Sequence, residues 1–416
     1  MFRGLHSYNE VLDAIEKYFP SSPVGVETVK LNESYGRIVA EDVKSTLDVP
    51  PFDRSTVDGY AVRSEDVIGA DEDNPIELSI VGSVKIGVIP ELSVGKGEAA
   101  EIVTGAPLPK GSDSVVMVEN ADRKDGKVLI YRSTTIGENV MARGSDIKAG
   151  ETVLQKGAAL TPFEIGMLSG IGKNQVKVYM KPKVAVISTG PELIHPGERL
   201  TPGKIYDINS YTLGSAIKSL GGEPISFGVI PDDLKIIEEV LDRALRVADI
   251  VVTSGGASVG PHDLIPKIIW EWGKPSLYIS GVAIKPGKPI TLAIVKDKPV
   301  FSLPGNPASA LLTFYLFVRP VLLKMAGRKV TPLESVKAKA GMKIFPAKGR
   351  RTFVTVTLRL EDEGLKAYPV PTGLSGAITT LSRADGFIEV AENQQFISEG
   401  EEVTVQLFTK LRKLEG

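Results

Sequence analysis

The chain has 416 residues, of which 42% are hydrophobic and 24% charged, and its formal net charge is −2. This length predicts about two to four domains, and the nearly balanced charge gives no reason to expect a nucleic-acid surface or an anionic membrane surface. The absence of cysteine excludes disulfides, thiolate nucleophiles and cysteine metal sites, and there are only three histidines, so a catalytic metal is expected to be a hard cation such as magnesium.

The N-terminal segment predicts one short amphipathic helix. Ser7 and Glu10 fit a capping box, and apolar residues recur at helical spacing until Pro20 ends the pattern. The first residues do not resemble a secretory signal. The most apolar segment begins at Leu311 and is interrupted by Arg319, which favours a buried helix over a membrane span. We therefore expect a cytoplasmic protein.

Residues 48–144 predict a separate β domain, because short β-rich runs alternate there with glycine and proline. The next segment carries a strand pattern and a helical stretch from about Pro162, which we expect to pack back on the N-terminal helix. Residues 1–47 and 145–180 would then form one mixed linker and dimerisation domain. The β domain would be an insertion within it.

Residues 181–327 alternate buried strands with amphipathic helices, a pattern typical of an α/β domain with a mostly parallel sheet. The clearest strands are KVAVIS, DIVVTS and KPVFSLP. Helices are expected over 209–218, with Asn209 or Ser210 as the cap, and over 231–247, with Asp232 near the start.

Residues 328–416 predict a small C-terminal β barrel or sandwich, because RTFVTVTLRL has a period-two apolar face and further short strand patterns follow it. The predicted fold is therefore multidomain α/β plus β. It combines an α/β domain, an inserted β domain and a C-terminal β barrel.

Three glycine-containing loops follow strands of the α/β domain, at the sheet edge where ligands bind. Glycine permits close backbone approach, and free amides at a loop or helix start favour phosphate or another oxyanion. Each loop alone also fits a tight turn, and the Asn-Pro step also fits a helix cap, but their convergence favours binding. The residues of this predicted cradle are Ser188, Thr189, Gly190, Ser254, Gly255, Gly256, Ser258, Gly260, Pro304, Gly305, Asn306 and Pro307.

Charged residues accompany these loops. Lys285 and Lys288 flank a proline–glycine turn, which is either a solvated loop or a fixed positive charge for an anionic ligand. Glu192, Asp232 and Asp263 each fit a helix cap or a solvated turn. Beside a phosphate cradle the three together favour a divalent cation, and we predict Mg²⁺.

Several short motifs occur in the order DGYA, TGAP, GSDI, STGPEL, IYDIN, SGGASVGPHD, IKPGKP and LPGNP. Together they closely resemble those of the molybdopterin molybdenumtransferases, the MoeA-type proteins, and of the homologous E domain of gephyrin. The resemblance extends over essentially the whole chain. It implies a four-domain elongated subunit, a homodimer, and Mg²⁺-dependent insertion of molybdate or tungstate into adenylated molybdopterin, with release of AMP.

The resemblance also implies site residues. Turn chemistry alone would explain Asp58 and Thr104, but both match functional positions of the family and are implied to reach the site from the partner subunit. The implied catalytic residues are Asp58, Thr104, Asp146, Glu192, Asp232 and Asp263, and the last three are the implied Mg²⁺ ligands. The implied molybdate and phosphate contacts are Lys285, Lys288, Pro304, Pro307 and Ser309, with Arg350 and Ser375 from the C-terminal domain.

Two departures from the family pattern are visible. Pro191 stands where the family commonly has an acid, which leaves Glu192 as the one carboxylate of its loop, and the GLSG sequence around Ser375 is less polar than expected. The resemblance further implies contact with the molybdopterin adenylyltransferase.

Two other classes of function remain open from the sequence. One is a non-enzymatic, gephyrin-like scaffold, and the other is a nucleotide hydrolase that shares only the α/β domain. The second leaves the DGYA and TGAP loops unexplained. The sequence does not distinguish molybdate from tungstate, because both are tetrahedral dianions of nearly equal size.

Overall fold

The computed structural model describes residues 4–255, 264–362, 364–370 and 379–408. The chain divides into two compact units. One comprises Thr28–Lys177, and the other comprises Met1–Glu27 together with Val178–Gly416.

The N-terminal helix α1 is Tyr8–Tyr18 and begins at the predicted capping box. The Ser7 hydroxyl accepts the Glu10 amide at 3.2 Å, and the Glu10 carboxylate accepts the Ser7 amide at 2.8 Å. Val11 and Ile15 are buried on one face of the helix, as the spacing predicted.

The core that covers this helix is that of the α/β domain. Val11 and Ile15 belong to one cluster with Val184 and Val252 of its sheet. The apolar spacing of a helix predicts that one face is buried, but it does not predict which part of the protein covers that face. Residues 1–27 therefore group with the α/β domain rather than with the linker segment.

Ile15→Ala tests this placement. The substitution is expected to lower the free energy of unfolding of the α/β unit by about 2–5 kcal/mol, because it leaves a cavity in that core. Both tryptophans, Trp270 and Trp272, lie at α5 of this unit, which is Leu264–Glu271, so their fluorescence during denaturation reports on it. Asp13→Ala on the exposed face is the control and should change stability by less than about 0.5 kcal/mol. Equal effects of the two substitutions would contradict the packing.

The unit Thr28–Lys177 is dominated by β structure. A curled six-stranded sheet has the order β7-β4-β6-β5-β9-β8 and lies within the segment predicted to be a β domain. Helix α2 begins at Pro162 as predicted, with Thr161 and Glu164 forming its capping box. The elements up to the α/β domain are β1 Val26–Lys30, β2 Val43–Lys44, β3 Arg54–Ser55, β4 Gly59–Val62, β5 Ile76–Val84, β6 Glu98–Ile102, β7 Ser114–Met117, β8 Ala121–Lys124, β9 Lys127–Ile130, β10 Val140–Met141, β11 Thr152–Leu154, α2 Pro162–Gly170 and β12 Gln175–Tyr179.

The α/β domain has one six-stranded sheet of order β16-β13-β17-β21-β20-β18. Strands β16, β13, β17 and β21 are parallel neighbours, and β20 pairs antiparallel with both β21 and β18, so the sheet is mostly parallel as predicted. Its elements are β13 Lys183–Thr189, β14 Leu193–Ile194, β15 Ile205–Tyr206, α3 Asn209–Ser219, β16 Glu223–Ile230, α4 Leu234–Val247, β17 Ile250–Ser254, α5 Leu264–Glu271, β18 Leu277–Ser280, β19 Ile284–Lys285, β20 Thr291–Val295, β21 Lys298–Leu303, α6 Pro307–Thr313 and α7 Arg319–Met325.

Helices cover both faces of this sheet. Leu213 of α3 and Phe314, which follows α6, pack on one face together with α1. Ile237 of α4 and Ile268 of α5 pack on the other. A parallel sheet buried on both faces explains why its strands read as continuous apolar runs in the sequence.

The run Pro307–Met325 is helical throughout, with a π-helical stretch at Phe314–Val318 between α6 and α7. Its 19 residues are long and apolar enough to cross a membrane by length and composition alone, but 67% of its apolar window is buried in the protein. Phe314 and Phe317 lie fully inside the core, which confirms the buried helix predicted for this segment.

The C-terminal domain is a closed five-stranded β barrel, as predicted. The ring runs β23-β24-β22-β26-β25 and closes through the pairing of β25 with β23. Strand β19 of the α/β domain adds to this sheet by parallel pairing with β23. The elements are β22 Ser335–Ala340, β23 Arg351–Glu361, β24 Gly364–Pro369, α8 Thr379–Arg383, β25 Gly386–Val390 and β26 Glu402–Leu407.

Candidate functional site

A cleft of about 430 Å³ lies at the ends of strands β13, β17 and β21. Strand β13 is the first strand of the sheet along the chain. The next strand, β16, lies on one side of β13, and β17 lies on the other side, so the order of strands switches direction between β13 and β17. Ligands of open α/β sheets bind at such a switch point. Of the predicted site residues, those that line the cleft are Thr189, Gly190, Glu192, Asp232, Ser254, Gly255, Gly305, Asn306 and Pro307.

Two glycines allow the three loops to approach each other. Gly255 has φ +96°, and a Cβ added to it would lie 2.0 Å from the Thr189 carbonyl oxygen. A Cβ on Gly305 would lie 3.4 Å from the Gly255 Cα. Only glycine fits this backbone conformation and this spacing at residue 255, so the floor of the cleft is made of closely packed main chain.

Two predicted cradle residues lie behind the cleft lining. Ser188 is fully buried, and its hydroxyl is hydrogen-bonded to Asp207 at 3.0 Å and to the Ser210 hydroxyl at 2.9 Å. Pro304 is buried and its carbonyl accepts the Ser254 hydroxyl at 3.2 Å. Both residues therefore support the loops that form the cleft.

Several buried polar atoms at the cleft have no hydrogen-bond partner among the described residues. They are Thr189 Oγ1, Asp207 Oδ2, Asn209 Oδ1 and Asn306 Oδ1. Asn306 occupies the N-cap position of α6, as the capping interpretation required, but its side chain makes no capping hydrogen bond. Buried polar groups without partners are rare and call for an explanation, and a ligand supplies one.

The carboxylates Glu192 and Asp232 are exposed at the cleft. Asp232 is not the cap of α4, because Asp233 takes that position and accepts the amides of Lys235 and Ile236. Within the described part of the chain, no group of three or more His, Asp or Glu side chains is placed to hold a metal ion. Two carboxylates fit Mg²⁺ when substrate phosphates supply further ligands, because Mg²⁺ is commonly bound in that way.

The lysine loop, residues 285–288, packs on the helix that starts at the cleft. A Cβ on Gly287 would lie 2.4 Å from Thr313 Cγ2 of α6. Ser309 is buried one turn before Thr313, whose hydroxyl donates to the Ser309 carbonyl at 2.8 Å. Lys285 is exposed and Lys288 is half-buried. The loop thus brings two cations to the side of α6.

The barrel holds the other end of this loop. Lys285 is the register partner of Thr352 in β23, and the Thr352 hydroxyl donates to the Arg350 carbonyl at 3.1 Å. Arg351, whose side chain is only 18% exposed, pairs with Glu389 and Glu392 at 3.0 Å each and so fixes the start of β23. The predicted residue Arg350 directly precedes β23, two residues before the register partner of Lys285.

In the unit Thr28–Lys177, the DGYA and TGAP loops are joined by hydrogen bonds. Asp58 Oδ1 accepts the Thr104 amide at 2.7 Å and its hydroxyl at 2.8 Å. These two bonds hold the pKa of the Asp58 carboxyl below its ordinary value, the amide bond being the larger cause. Asp146 is exposed in a loop whose Ala149 amide donates to Asp48 at 2.9 Å.

Thr104→Val tests the cause of the Asp58 shift. It removes the hydroxyl bond and keeps the amide bond, so the Asp58 pKa should rise but stay below its ordinary value. Because this pKa is depressed on folding, its contribution to stability is present at neutral pH and is lost as the pH falls through the folded pKa. A carboxyl ¹³C titration measures the change. The pKa of Glu138, which the Thr135 amide lowers, is the internal control and should not move. An unchanged Asp58 pKa would refute the assignment.

Three family models match successive parts of the chain. The MoeA N-terminal region (domains I and II) matches residues 6–172, a "probable molybdopterin binding domain" matches 185–324, and the MoeA C-terminal region (domain IV) matches 337–408. A molybdopterin molybdenumtransferase of a Nostoc species is 37% identical over 385 residues, which are 91% of this chain and 88% of the relative. The chain belongs to the molybdopterin molybdenumtransferase family.

Further comparisons agree with the family. The molybdopterin molybdenumtransferase of Haemophilus influenzae is 34% identical over 392 residues, 94% of this chain and 95% of the relative. Two solved structures of molybdopterin biosynthesis MoeA proteins from Pyrococcus horikoshii are also similar. The alignments cover 98% and 97% of this chain and the full length of each solved chain. Their TM-scores are 0.86 and 0.79, at 44% and 35% identity. The chain is therefore a transferase of molybdenum cofactor biosynthesis.

Some residues expected from the molybdopterin molybdenumtransferase motifs lie outside the described residues. They are Gly256, Ser258, Gly260, Asp263 and Ser375. Conversely, the sequence assigned no role to Asp207 and gave Asn209 only as a possible helix cap, although both line the cleft. That cap prediction was wrong, because the N-cap position of α3 is Ile208. The available signal was the IYDIN motif, which contains both.

Proposed function

We propose that this chain inserts molybdate, or tungstate, into adenylated molybdopterin and releases AMP in an Mg²⁺-dependent reaction. The observation that carries the proposal is the cleft at the switch point, with a glycine floor, two exposed carboxylates and a lysine loop on the helix that begins there. Backbone amides and lysines suit the phosphates and the oxyanion, and the carboxylates suit a hard cation.

The chain's own residues divide into three roles. The loops containing Gly190, Gly255 and Gly305 bind the pterin and its phosphates. Glu192 and Asp232, with Asp263, would hold Mg²⁺, which neutralises charge on the pyrophosphate oxygens when it is bound. Lys285, Lys288 and Arg350, together with Pro307 and Ser309, hold the tetrahedral dianion.

The proposed reaction needs no covalent intermediate on the protein. An oxygen of the oxyanion, or of water, attacks the phosphorus on the pterin side of the pyrophosphate, and AMP leaves with the bridging oxygen. Where the oxyanion attacks, water then hydrolyses the mixed anhydride that forms. The two dithiolene sulfurs bind the metal, and their thiol protons leave with one oxygen of the oxyanion as water. Lysines placed where charge develops on oxygen lower the barrier. The absence of cysteine agrees with this mechanism.

AMP release tests the proposal directly. The purified chain, adenylated molybdopterin and Mg²⁺ should give AMP when molybdate or tungstate is added, and little without either. Turnover that is independent of both oxyanions would favour the nucleotide hydrolase. No release under any condition would favour the gephyrin-like scaffold. Competition between the two oxyanions, followed by metal analysis of the product, identifies the preferred substrate.

We also propose that the working form is a cytoplasmic homodimer in which Asp58, Thr104 and Asp146 complete the site of a second copy. The support is the family assignment together with the Asp58–Thr104 pair, which is exposed to solvent. The adenylyltransferase that makes the substrate is the expected donor partner.

Mixed dimers test the shared site. Asp58→Ala and Asp232→Ala chains are each expected to be inactive alone, and co-refolded mixtures should recover part of the activity because one site in the mixed dimer is intact. Mixtures of each variant with itself are the control. If activity fails to return although mixed dimers form, the shared site is excluded.

A further inference from the structure

A buried carboxylate oxygen at the cleft has no hydrogen-bond partner among the described residues. Asp207 is only 2% exposed, and its Oδ1 accepts the Ser188 hydroxyl at 3.0 Å and the Ser210 amide at 3.2 Å. Its Oδ2 has no donor among the described residues, although Asp207 lines the cleft. One oxygen of this carboxylate thus binds groups of the protein, and the other is available to a ligand.

Asn209 presents a second acceptor in the same segment. Its Nδ2 donates to the Ser254 hydroxyl and to the Gly305 carbonyl, both at 2.7 Å. These two bonds use both protons of the amide and fix its orientation, because the Gly305 carbonyl can only accept. Asn209 Oδ1 is therefore held as an acceptor, is buried, and has no partner in the described chain.

An acceptor pair that includes a full negative charge selects the chemistry of its ligand. Burying an unpaired carboxylate oxygen is unfavourable unless a donor satisfies it, so a ligand group that fits here must present N–H or O–H groups. Phosphate and molybdate oxygens are acceptors and would be repelled. The anionic parts of any ligand must instead lie toward the loop amides and the lysine loop.

We infer that Asp207 and Asn209 bind the aminopyrimidine edge of the pterin and determine which heterocycle the cleft accepts. This inference rests on the proposed function, in which the substrate carries a pterin. A pterin presents its 2-amino group and the neighbouring ring N–H on one edge, and these are the donors that Asp207 Oδ2 and Asn209 Oδ1 lack. The adenine of the AMP group presents its amino group beside ring nitrogens that accept, which matches this pair less well.

A matched pair of free heterocycles tests the inference without any substitution. Pterin and lumazine share the pteridine ring, but lumazine carries an oxygen in place of the 2-amino group. The full-length chain should bind pterin at least about tenfold more tightly than lumazine, because the oxygen would face the Asp207 carboxylate. Fluorescence titration of each compound measures the ratio. Equal affinities, or no binding of pterin, would overturn the inference.

Asp207→Asn gives the second arm. Asparagine keeps an acceptor for the Ser210 amide and replaces Oδ2 by an NH₂ donor, so the affinity for pterin should fall about 10–100-fold while that for lumazine should hold or rise. Asp233→Asn is the control, because it removes the same charge in the same domain, lies outside the cleft lining, and asparagine caps helices as well as aspartate does. The ratio of pterin affinity to lumazine affinity in Asp233→Asn should equal that of the wild type.

The outcomes separate the inference from the proposed function. An unchanged pterin preference in Asp207→Asn would overturn the inference even if AMP release by the wild type depends on molybdate. A pterin preference that is lost in Asp207→Asn and kept in Asp233→Asn would support the inference, whether or not the wild type releases AMP. If the wild type releases no AMP, only the proposed reaction is rejected.

Discussion

Gly255→Ala is expected to lower turnover more than about 100-fold and to destabilise the α/β unit by about 2–5 kcal/mol. The added Cβ would lie 2.0 Å from the Thr189 carbonyl oxygen and 3.1 Å from its Oγ1, at φ +96°. Two loops of the cleft must then move apart, and the close backbone approach that forms its floor is lost. Denaturation followed by fluorescence and the AMP-release assay measure the two effects.

Gly197→Ala is the matched control for this substitution. Gly197 has φ +97°, nearly the same as Gly255, but a Cβ there meets nothing within 4 Å. Its cost should therefore be that of the left-handed conformation alone, about 1–2 kcal/mol, with turnover preserved. Equal losses of stability and turnover in the two variants would mean that the loop contact is unimportant.

Lys285→Ala is expected to lower the rate at low molybdate concentration by about 10–100-fold, through a higher KM for the oxyanion. The reason is that a charged hydrogen-bond donor to a dianion is removed from a loop that β23 and α6 hold in place. KM for adenylated molybdopterin should change much less. Steady-state kinetics with each substrate varied separately measure the difference.

Lys267→Ala controls for the loss of one positive charge in the same domain. Lys267 lies on α5 and pairs only weakly with Glu271, at 4.0 Å. Its removal should leave the KM for molybdate unchanged, because an exposed charge outside the site is screened by salt. If Lys285→Ala raises both KM values equally, or behaves as Lys267→Ala does, the lysine loop does not bind the oxyanion.

The parts of the fold that the sequence predicted are those governed by local patterns. Buried strands such as Lys183–Thr189 are continuous apolar runs, and Ser7, Glu10 and the apolar spacing predict α1. The partner of α1 could not be predicted in the same way, because any apolar surface would satisfy Val11 and Ile15. The pairing of β19 with β23 is likewise a long-range contact that two residues of strand cannot encode locally.

The candidate site follows the same division. The positions of the three glycine loops followed from the ends of three predicted strands, because parallel strands end at one edge of the sheet. The roles of single polar atoms depended on tertiary hydrogen bonds. Asp233, and not Asp232, caps α4. Asp207 and Asn209 each have one side-chain atom bound to the protein and one without a partner in the part of the chain that the structure describes. No spacing rule distinguishes these from ordinary turn residues.

The most direct test of the proposed function is the fate of molybdenum. The chain, adenylated molybdopterin, Mg²⁺ and molybdate are incubated, and the pterin product is analysed for bound molybdenum and supplied to a cofactor-free molybdenum enzyme. We expect pterin-bound molybdenum and AMP to appear in equal amounts, and the product to activate the acceptor enzyme. Release of AMP with no molybdenum on the pterin would contradict the proposed function.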